Sequence, residues 1–421
     1  MKICVQGLWH LGTVTAACLA SLGHNVVGID FDKSIIKSLN NGIPTFFEPG
    51  LENLVKQGLI SNNLTFASET ENINFLWVTY DTPVDDNDNA DINFVFSNIE
   101  LMIPFLSVNA IVLISSQLPI GSIKYLEDKF KTLCPEKNIS FACSPENLRL
   151  GNALNIFLKP DRIIVGVRTE KDKLIIKQLL ESISSNIEWM SVESAEMTKH
   201  AINSFLATSV VFANEIASIC EITGANAKEV ERGLKSESRI GPKAYLSPGV
   251  SFSGGTLARD INFLQKISKQ NKLKIPLLKS VKTSNNNHKL WSKRKINSLF
   301  PNLKGITITI WGIAYKENTD ILRRSLNVEL CNWLLSQGAN IKVYDPFVEN
   351  LPKKWLNLVQ KSSSLDESLI NSNILIIGTK NDKFKHFFEH YSDLNLTVID
   401  PNRFIPFLEN SKQCKYISVG I

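Results

Sequence analysis

Lys199 and Asn203 stand four residues apart in Glu196-Met-Thr-Lys-His-Ala-Ile-Asn203, a spacing that projects both side chains from one face of a helix. An ammonium so placed can bind a developing alkoxide, and an asparagine can fix its position or that of a water. A glycine-containing loop ending in Arg259-Asp260 follows. That setting favours a functional pair over one exposed charge with a polar neighbour. A second constellation opens the chain. Gly7-Leu-Trp-His-Leu-Gly12 follows an apolar run and starts a helical pattern. In a dinucleotide site the first glycine permits the tight turn, the second lets the pyrophosphate approach and the third lets helix pack on strand. Trp9 occupies the middle position. Asp30 ends the next strand pattern 18 residues beyond Gly12, where a carboxylate binds ribose hydroxyls and disfavours a 2′-phosphate. Gly7, Leu11, Gly12 and Asp30 are therefore assigned to NAD.

These groups need a scaffold. Lys2–Val5, Asn25–Ile29, Phe75–Val78, Ala110–Ser115, Ile139–Ala142 and Arg162–Val165 read as strands. Helical patterns such as Thr13–Leu22 and Pro49–Gln57 lie between them. The alternation predicts an α/β fold whose mostly parallel, Rossmann-like sheet is covered on both faces. Ala195 to Thr223 keeps helical apolar spacing without a proline, and Ala227–Leu234 follows it as a second helix. Residues 283–295 are polar and suit a helix end and linker. From Gly305 the strand–helix alternation resumes with Ile306–Trp311, Asn327–Gln337, Ile341–Tyr344, Ile374–Gly378 and Thr397–Ile399. It predicts a smaller C-terminal α/β domain. The expected division is 1–193 for the NAD domain, 194–295 for a central long-helix domain with the glycine loop, and 296–421 for the C-terminal domain.

Bulk composition narrows the partners. The 421 residues carry 43% apolar and 21% charged side chains and a net charge of +5, ordinary for a soluble globular chain. The scattered basic residues do not suggest nucleic acid, since solvated helix faces or a nucleotide-phosphate site account for the surplus. No run of about 18 apolar residues suggests a membrane span. Met1-Lys-Ile-Cys-Val-Gln-Gly7 passes straight into a strand pattern, so no signal peptide is expected. Seven cysteines without a CxxC pair indicate reduced, buried thiols in a cytoplasmic protein, and no metal site.

Longer motifs carry a resemblance. Leu246-Ser-Pro-Gly-Val-Ser-Phe-Ser-Gly-Gly-Thr-Leu-Ala-Arg-Asp260 resembles the active-site loop of the UDP-glucose/GDP-mannose 6-dehydrogenase family, roughly Pro-Gly-x-Gly-(Phe/Tyr)-Gly-Gly-x-Cys-x-Pro-Lys-Asp. Also similar to that family are Asn41-Gly-Ile-Pro-Thr-Phe-Phe-Glu-Pro-Gly-Leu51, Thr82-Pro83, Ser116-Gln-Leu-Pro-Ile-Gly-Ser122, Ser144-Pro-Glu-Asn-Leu-Arg-Leu-Gly-Asn-Ala153 and Pro160-Asp-Arg-Ile-Ile-Val-Gly166. Further on come Arg239-Ile-Gly241, Gly312-Ile-Ala-Tyr-Lys-Glu-Asn-Thr-Asp-Ile-Leu-Arg-Arg-Ser325 and Tyr344-Asp-Pro346. The matches run in order along nearly the whole chain. Lys-x-x-x-Asn pairs also occur in β-hydroxyacid dehydrogenases, so Lys199 and Asn203 alone do not name a substrate.

The resemblance implies an NAD-dependent oxidoreductase acting on a nucleotide-activated sugar. It also implies a homodimer formed through the central helix. In the family a cysteine captures an aldehyde as a thiohemiacetal, so that a second hydride transfer gives a thioester and then an acid. Thr256 stands at that cysteine. By resemblance, Lys199, Asn203 and the general base Asp260 serve hydride transfer. Glu146 matches a glutamate implicated in water activation, and the second family glutamate is Leu150. Gln117 replaces a threonine that helps hold a catalytic water and joins Thr82, Arg259 and Arg323 among the cofactor contacts. Substrate contacts fall to Glu146, Leu148, Lys199, Asn203, Arg239, Tyr245, Pro248, Gly249, Ser253 and Lys316, with Arg239 reaching a substrate from the partner subunit. The departures all touch the second oxidation, while the groups for the first remain. Three outcomes stay open: oxidation that stops after one hydride transfer, four-electron oxidation to a uronic acid without a covalent thioester, and a catalytically silent nucleotide-sugar and NAD binder.

Overall fold

The run Lys2–Gln6 (β1) is apolar at its three central positions and buried from Ile3 onward, as expected of a strand covered on both faces of a parallel sheet. It pairs with Asn25–Ile29 (β2), which pairs in turn with Leu64–Ala67 (β3). On its other side β1 meets Ile73–Val78 (β4). The sheet continues through Leu106–Ile114 (β5), Ser140–Cys143 (β6), Ile163–Gly166 (β7) and Ile187–Met190 (β8), giving the order β3-β2-β1-β4-β5-β6-β7-β8. Every pairing is parallel except the contact of β6 with β7 at Cys143 and Gly166. Ile3 and Val5 enter one core and Cys4 the other, so helices cover both faces.

A second sheet has the same grammar. Thr307–Trp311 (β9), Asn340–Tyr344 (β10), Val359–Lys361 (β11), Ile374–Ile377 (β12), Thr397–Asp400 (β13) and Lys415–Ser418 (β14) pair in the order β11-β10-β9-β12-β13-β14. All of these pairings are parallel. In both sheets the strand order reverses beside the first strand. The loops at the carboxyl ends there are where ligands bind in such folds.

The computed structural model describes residues 1–85, 89–146, 148–253, 255–390, 396–412 and 414–421. Asn147 and Gly254, which belong to two of the motifs above, lie outside the described residues. The chain divides into two compact units, Met1–Ile202 and Asn203–Ile421. The boundary falls inside one 32-residue helix, Val192–Thr223.

The structure corrects one sequence expectation, the linker, and adds an observation to another, the absence of a membrane span. By length and composition that helix could cross a membrane, with mean hydropathy 1.5 in its most apolar window and 39% of the window buried. Interspersed Ser, Thr and Asn break any continuous apolar run without lowering the mean enough. In the second unit the helix places Ala207 and Val211 in a core with Ile261 and Val281, and Ala217 and Cys220 in the core of the second sheet. That packing is also how a core helix behaves. Residues 283–295 are not a linker, because helices Pro276–Lys289 and Trp291–Leu299 run through them with a break at Leu290. The polar residues read as linker include Asn285 and His288, which are buried. The seven thiols are unbridged, six of them buried and Cys414 half-buried.

Candidate active site

The first-unit residues gather at strand ends. Gly7 follows β1 with a φ of +92°, and a Cβ there would meet the Tyr80 ring at 2.7 Å. Gly12 is constrained by contact rather than conformation, since a Cβ would lie 1.8 Å from the Gly7 carbonyl oxygen. Both glycines are therefore required by geometry. Trp9 has an ordinary φ of −95° as N-cap of helix His10–Ser21. Its ring is 43% exposed and lies 6.2 Å from Phe46. A large side chain thus fits where the glycine pattern breaks, because the backbone there asks for no left-handed conformation.

Asp30, buried at the end of β2, accepts from the Leu8 amide at 2.8 Å and the Asp32 amide at 3.0 Å. Its carboxylate is fastened to the glycine loop and retains lone pairs for hydroxyl donors. Leu11 donates its amide to Asp81 at 3.4 Å. These residues fit a dinucleotide, with a cradle that no Cβ could share and a fixed acidic acceptor one strand away.

Next to them, Thr82 donates to the Gln117 carbonyl at 2.7 Å and joins the loops after β4 and β5. A cavity is lined by Ser116, Gln117, Glu146, Glu196, Lys199 and His200, among others. Lys199, 9% exposed, donates to the backbone carbonyl of Glu146. The Glu146 carboxylate turns back onto the Leu148 amide, so Leu148 enters the site as backbone. Glu196 accepts from Gly121 at 2.7 Å and Ile123 at 3.0 Å, capping helix Ser122–Leu133. His200 donates to the Leu118 carbonyl at 3.0 Å. Burial raises the Glu196 carboxyl above its usual range.

Sequence reasoning assigned no role to Glu48. Its buried carboxylate accepts from Gly151 at 2.8 Å and Ala153 at 2.7 Å and lies 3.4 Å from His10 Nε2. It ties the start of the first helix to the segment that follows Glu146. Burial pushes this carboxyl up, but the His10 ring and the two amides outweigh that and hold it below the usual carboxylate range. The Pro-rich spacing around it was a signal of a fixed loop, though not of what the loop holds.

The second unit is described by itself. Asn203 donates its side-chain amide to Asp260, and both are buried, Asp260 completely. Asp260 sits on helix Thr256–Gln270, whose N-cap is Gly255. Thr256, first residue of that helix, is exposed. Arg259 is buried. Arg239 is not gathered with these groups, since its side chain is 87% exposed and pairs with Glu237 at 2.9 Å. Tyr245 is 58% exposed, Pro248 is buried, and Gly249 and Ser253 are half-buried. In the second sheet Gly312 has a φ of +82° and no room for a Cβ, which would meet Thr379 Oγ1 at 1.9 Å. Asp345, at the end of β10, accepts from Ile313 at 2.7 Å and Ala314 at 3.2 Å, fixing the loop that carries half-buried Lys316 and exposed Arg323. Among the described residues no cluster of His, Cys, Asp and Glu could hold a metal ion.

A glycine cradle with a fixed acidic acceptor, buried lysine and aspartate sites, and a second sheet repeating the first now meet known proteins. The NAD binding domain of the UDP-glucose/GDP-mannose dehydrogenase family matches residues 1–184, its central domain 193–287 and its UDP binding domain 309–405. A UDP-glucose 6-dehydrogenase of Rickettsia bellii is 32% identical over 399 residues, 91% of this chain and 90% of that one. The UDP-glucose 6-dehydrogenase TuaD of Bacillus subtilis is 31% identical over 350 residues, 82% of this chain and 76% of that one. Among solved structures, a UDP-glucose dehydrogenase from Pyrobaculum islandicum superimposes with a TM-score of 0.87 at 27% identity, covering 100% of this chain and 97% of that one. With all three domains matched in order, this NAD-dependent nucleotide-sugar dehydrogenase belongs to the UDP-glucose/GDP-mannose dehydrogenase family.

Proposed function

We propose that the protein oxidises a uridine-diphosphate sugar of the UDP-glucose type by a single hydride transfer and stops before any thioester. The observation that carries this reading is a contrast. Lys199 and Asp260 are buried and hydrogen-bonded, whereas the position of the second-step nucleophile holds an exposed threonine. Lys199 stabilises the alkoxide as the sugar hydroxyl loses its proton. Asn203 orients Asp260, which accepts that proton through a water. When bound, NAD supplies the two-electron acceptor. Gly7, Leu11, Gly12, Asp30, Thr82, Gln117, Arg259 and Arg323 serve the cofactor. Glu146, Leu148, Tyr245, Pro248, Gly249, Ser253 and Lys316 serve the sugar nucleotide, with Arg239 offered to a partner subunit. We read 1–193, 194–295 and 296–421 as the three functional domains.

A homodimer through the long helix is supported by its outer face. Phe205, Phe212 and Ile219 are 70%, 44% and 52% exposed at seven-residue intervals, the repeat of a helix–helix seam. The decisive measurement is NADH formed per UDP-glucose consumed. A ratio near one is expected. A ratio near two would support four-electron oxidation by hydrate chemistry, and no NADH would leave a silent binder.

Asp30 sets cofactor choice in this reading. Asp30→Ala should weaken NAD binding about tenfold, the scale of losing a hydrogen bond to a charged group, with UDP binding nearly unchanged by calorimetry. Equal or tighter binding of NADP by the unaltered protein would remove the assignment.

A further inference from the structure

Four residues of the glycine-loop segment Ser247 to Phe252 are held by side chains from three helices of the second unit. Ser247 donates its hydroxyl to Glu231, on helix Ala227–Ser236. Asn214, on the long helix, accepts from the Gly249 amide at 2.9 Å and donates to the Val250 carbonyl at 3.4 Å. His288 Nε2 donates to the Gly249 carbonyl at 2.8 Å. Asn285 grips Phe252 on both sides, accepting from its amide and donating to its carbonyl, each at 2.9 Å. Asn285 and His288 share helix Pro276–Lys289, spaced to lie on one face. All four anchors are buried, Asn214 at 2%, Asn285 at 3%, Glu231 at 8% and His288 at 9% exposure. The turn after β13 flanks Gly249, where a Cβ would come within 3.7 Å of the Pro401 carbonyl oxygen.

We propose that Asn214, Asn285 and His288 are positioning residues that set the substrate-binding conformation of the Ser247–Phe252 loop for the sugar-nucleotide reaction. The backbone polar groups of Gly249 and Phe252 and the Val250 carbonyl are satisfied by remote side chains, so the loop's shape is specified in part outside its own sequence. An interior asparagine that spans both polar groups of one residue is costly to replace, because truncation orphans a part-buried donor and a part-buried acceptor together. Residue 256 makes none of these contacts, so the clamp does not depend on which side chain stands there. Asn285 and His288 do not need to touch the substrate. Their effect is transmitted through Phe252 and Gly249. This inference rests on the sugar-nucleotide reading for its kinetic consequence and on the loop alone for its structural one.

Two readouts on the full-length protein separate those layers. In Asn285→Ala, backbone hydrogen exchange of the peptide covering 247–253 should accelerate about tenfold, the effect of losing one or two buried hydrogen bonds, with exchange in β1 to β8 unchanged. The KM for UDP-glucose should rise about tenfold, with NAD affinity held within about twofold. For His288, Ala should raise KM, whereas Gln, which keeps a donor at similar reach, should restore it; a merely structural histidine would not distinguish the two. If Asn285→Ala fails to fold, the His288 pair carries the test. Unchanged loop exchange in folded Asn285→Ala, or equal KM values for His288→Ala and His288→Gln, overturns the proposal. If the unaltered protein does not turn over UDP-glucose, the substrate reading falls, and the exchange result with UDP affinity still decides the clamp.

Discussion

Replacing Lys199 by alanine is expected to lower turnover by about 10²–10³, the scale of removing one electrostatic stabiliser from a transition state. The effect is large because the ammonium is buried, where charge acts through a weaker dielectric than water. Its reach is also fixed, since the side chain leaves the long helix and is held at the Glu146 carbonyl. The same bond contributes to stability, so the comparison requires that the variant melt as a folded protein. NADH formation at saturating UDP-glucose is the measurement. A loss smaller than about threefold in folded Lys199→Ala would show that the proton and charge are handled elsewhere.

The second large effect concerns Thr256. Intact-protein mass spectrometry after rapid quench with UDP-glucose and NAD should show only the unmodified mass. A threonine hydroxyl is a poor nucleophile without a strong base beside it, and Thr256 is exposed. Cys143 lines the cavity with Lys199, but a buried thiol held protonated is a poor nucleophile. Burial pushes Cys4 and Cys18 up to about 12 and raises Cys143 and Cys331 further. Thr256→Cys should reverse this, because a thiol at the first position of helix Thr256–Gln270 is acidified by the amides at that end. A mass shift is then expected on the variant, with slow release if Gln117 and Leu150 take the places that the family resemblance implies for water and carboxylate chemistry. An acyl adduct on the unaltered protein would sink the single-transfer reading.

Much of this architecture was legible in the residues. Lys2–Val5, Asn25–Ile29 and Ile374–Gly378 are short apolar runs between helical patterns, and each became an interior parallel strand. The unread strands β3, β8, β11 and β14 include the sheet margins, where Gln360 and Lys361 face solvent and the apolar signal is thin. Among the candidate site residues, Lys199 and Asn203 were singled out by spacing on one helix, and the structure pairs them with Glu146 and Asp260 respectively. Nothing local to Arg239-Ile-Gly241 says that the guanidinium stands out in solvent beside Glu237, an exposure that the expected role toward a partner subunit allows. Asn285 and His288 are the converse case. A polar stretch looks like surface until tertiary structure supplies the backbone that those side chains satisfy. Glu48 was hidden for the same reason, its partners Gly151 and Ala153 lying about a hundred residues away along the chain.

The seven thiols have one further bearing. An enzyme that works through an acidic, accessible cysteine is silenced by peroxide, because the thiolate is the species that oxidant attacks. Here six sulfurs are shut in the core and Cys414, half-buried, is held up at about 11. The loop that would carry the vulnerable group carries a hydroxyl. If turnover needs no thiol, activity should survive a peroxide treatment that oxidises exposed thiolates, and loss of activity there would count against the single-transfer reading.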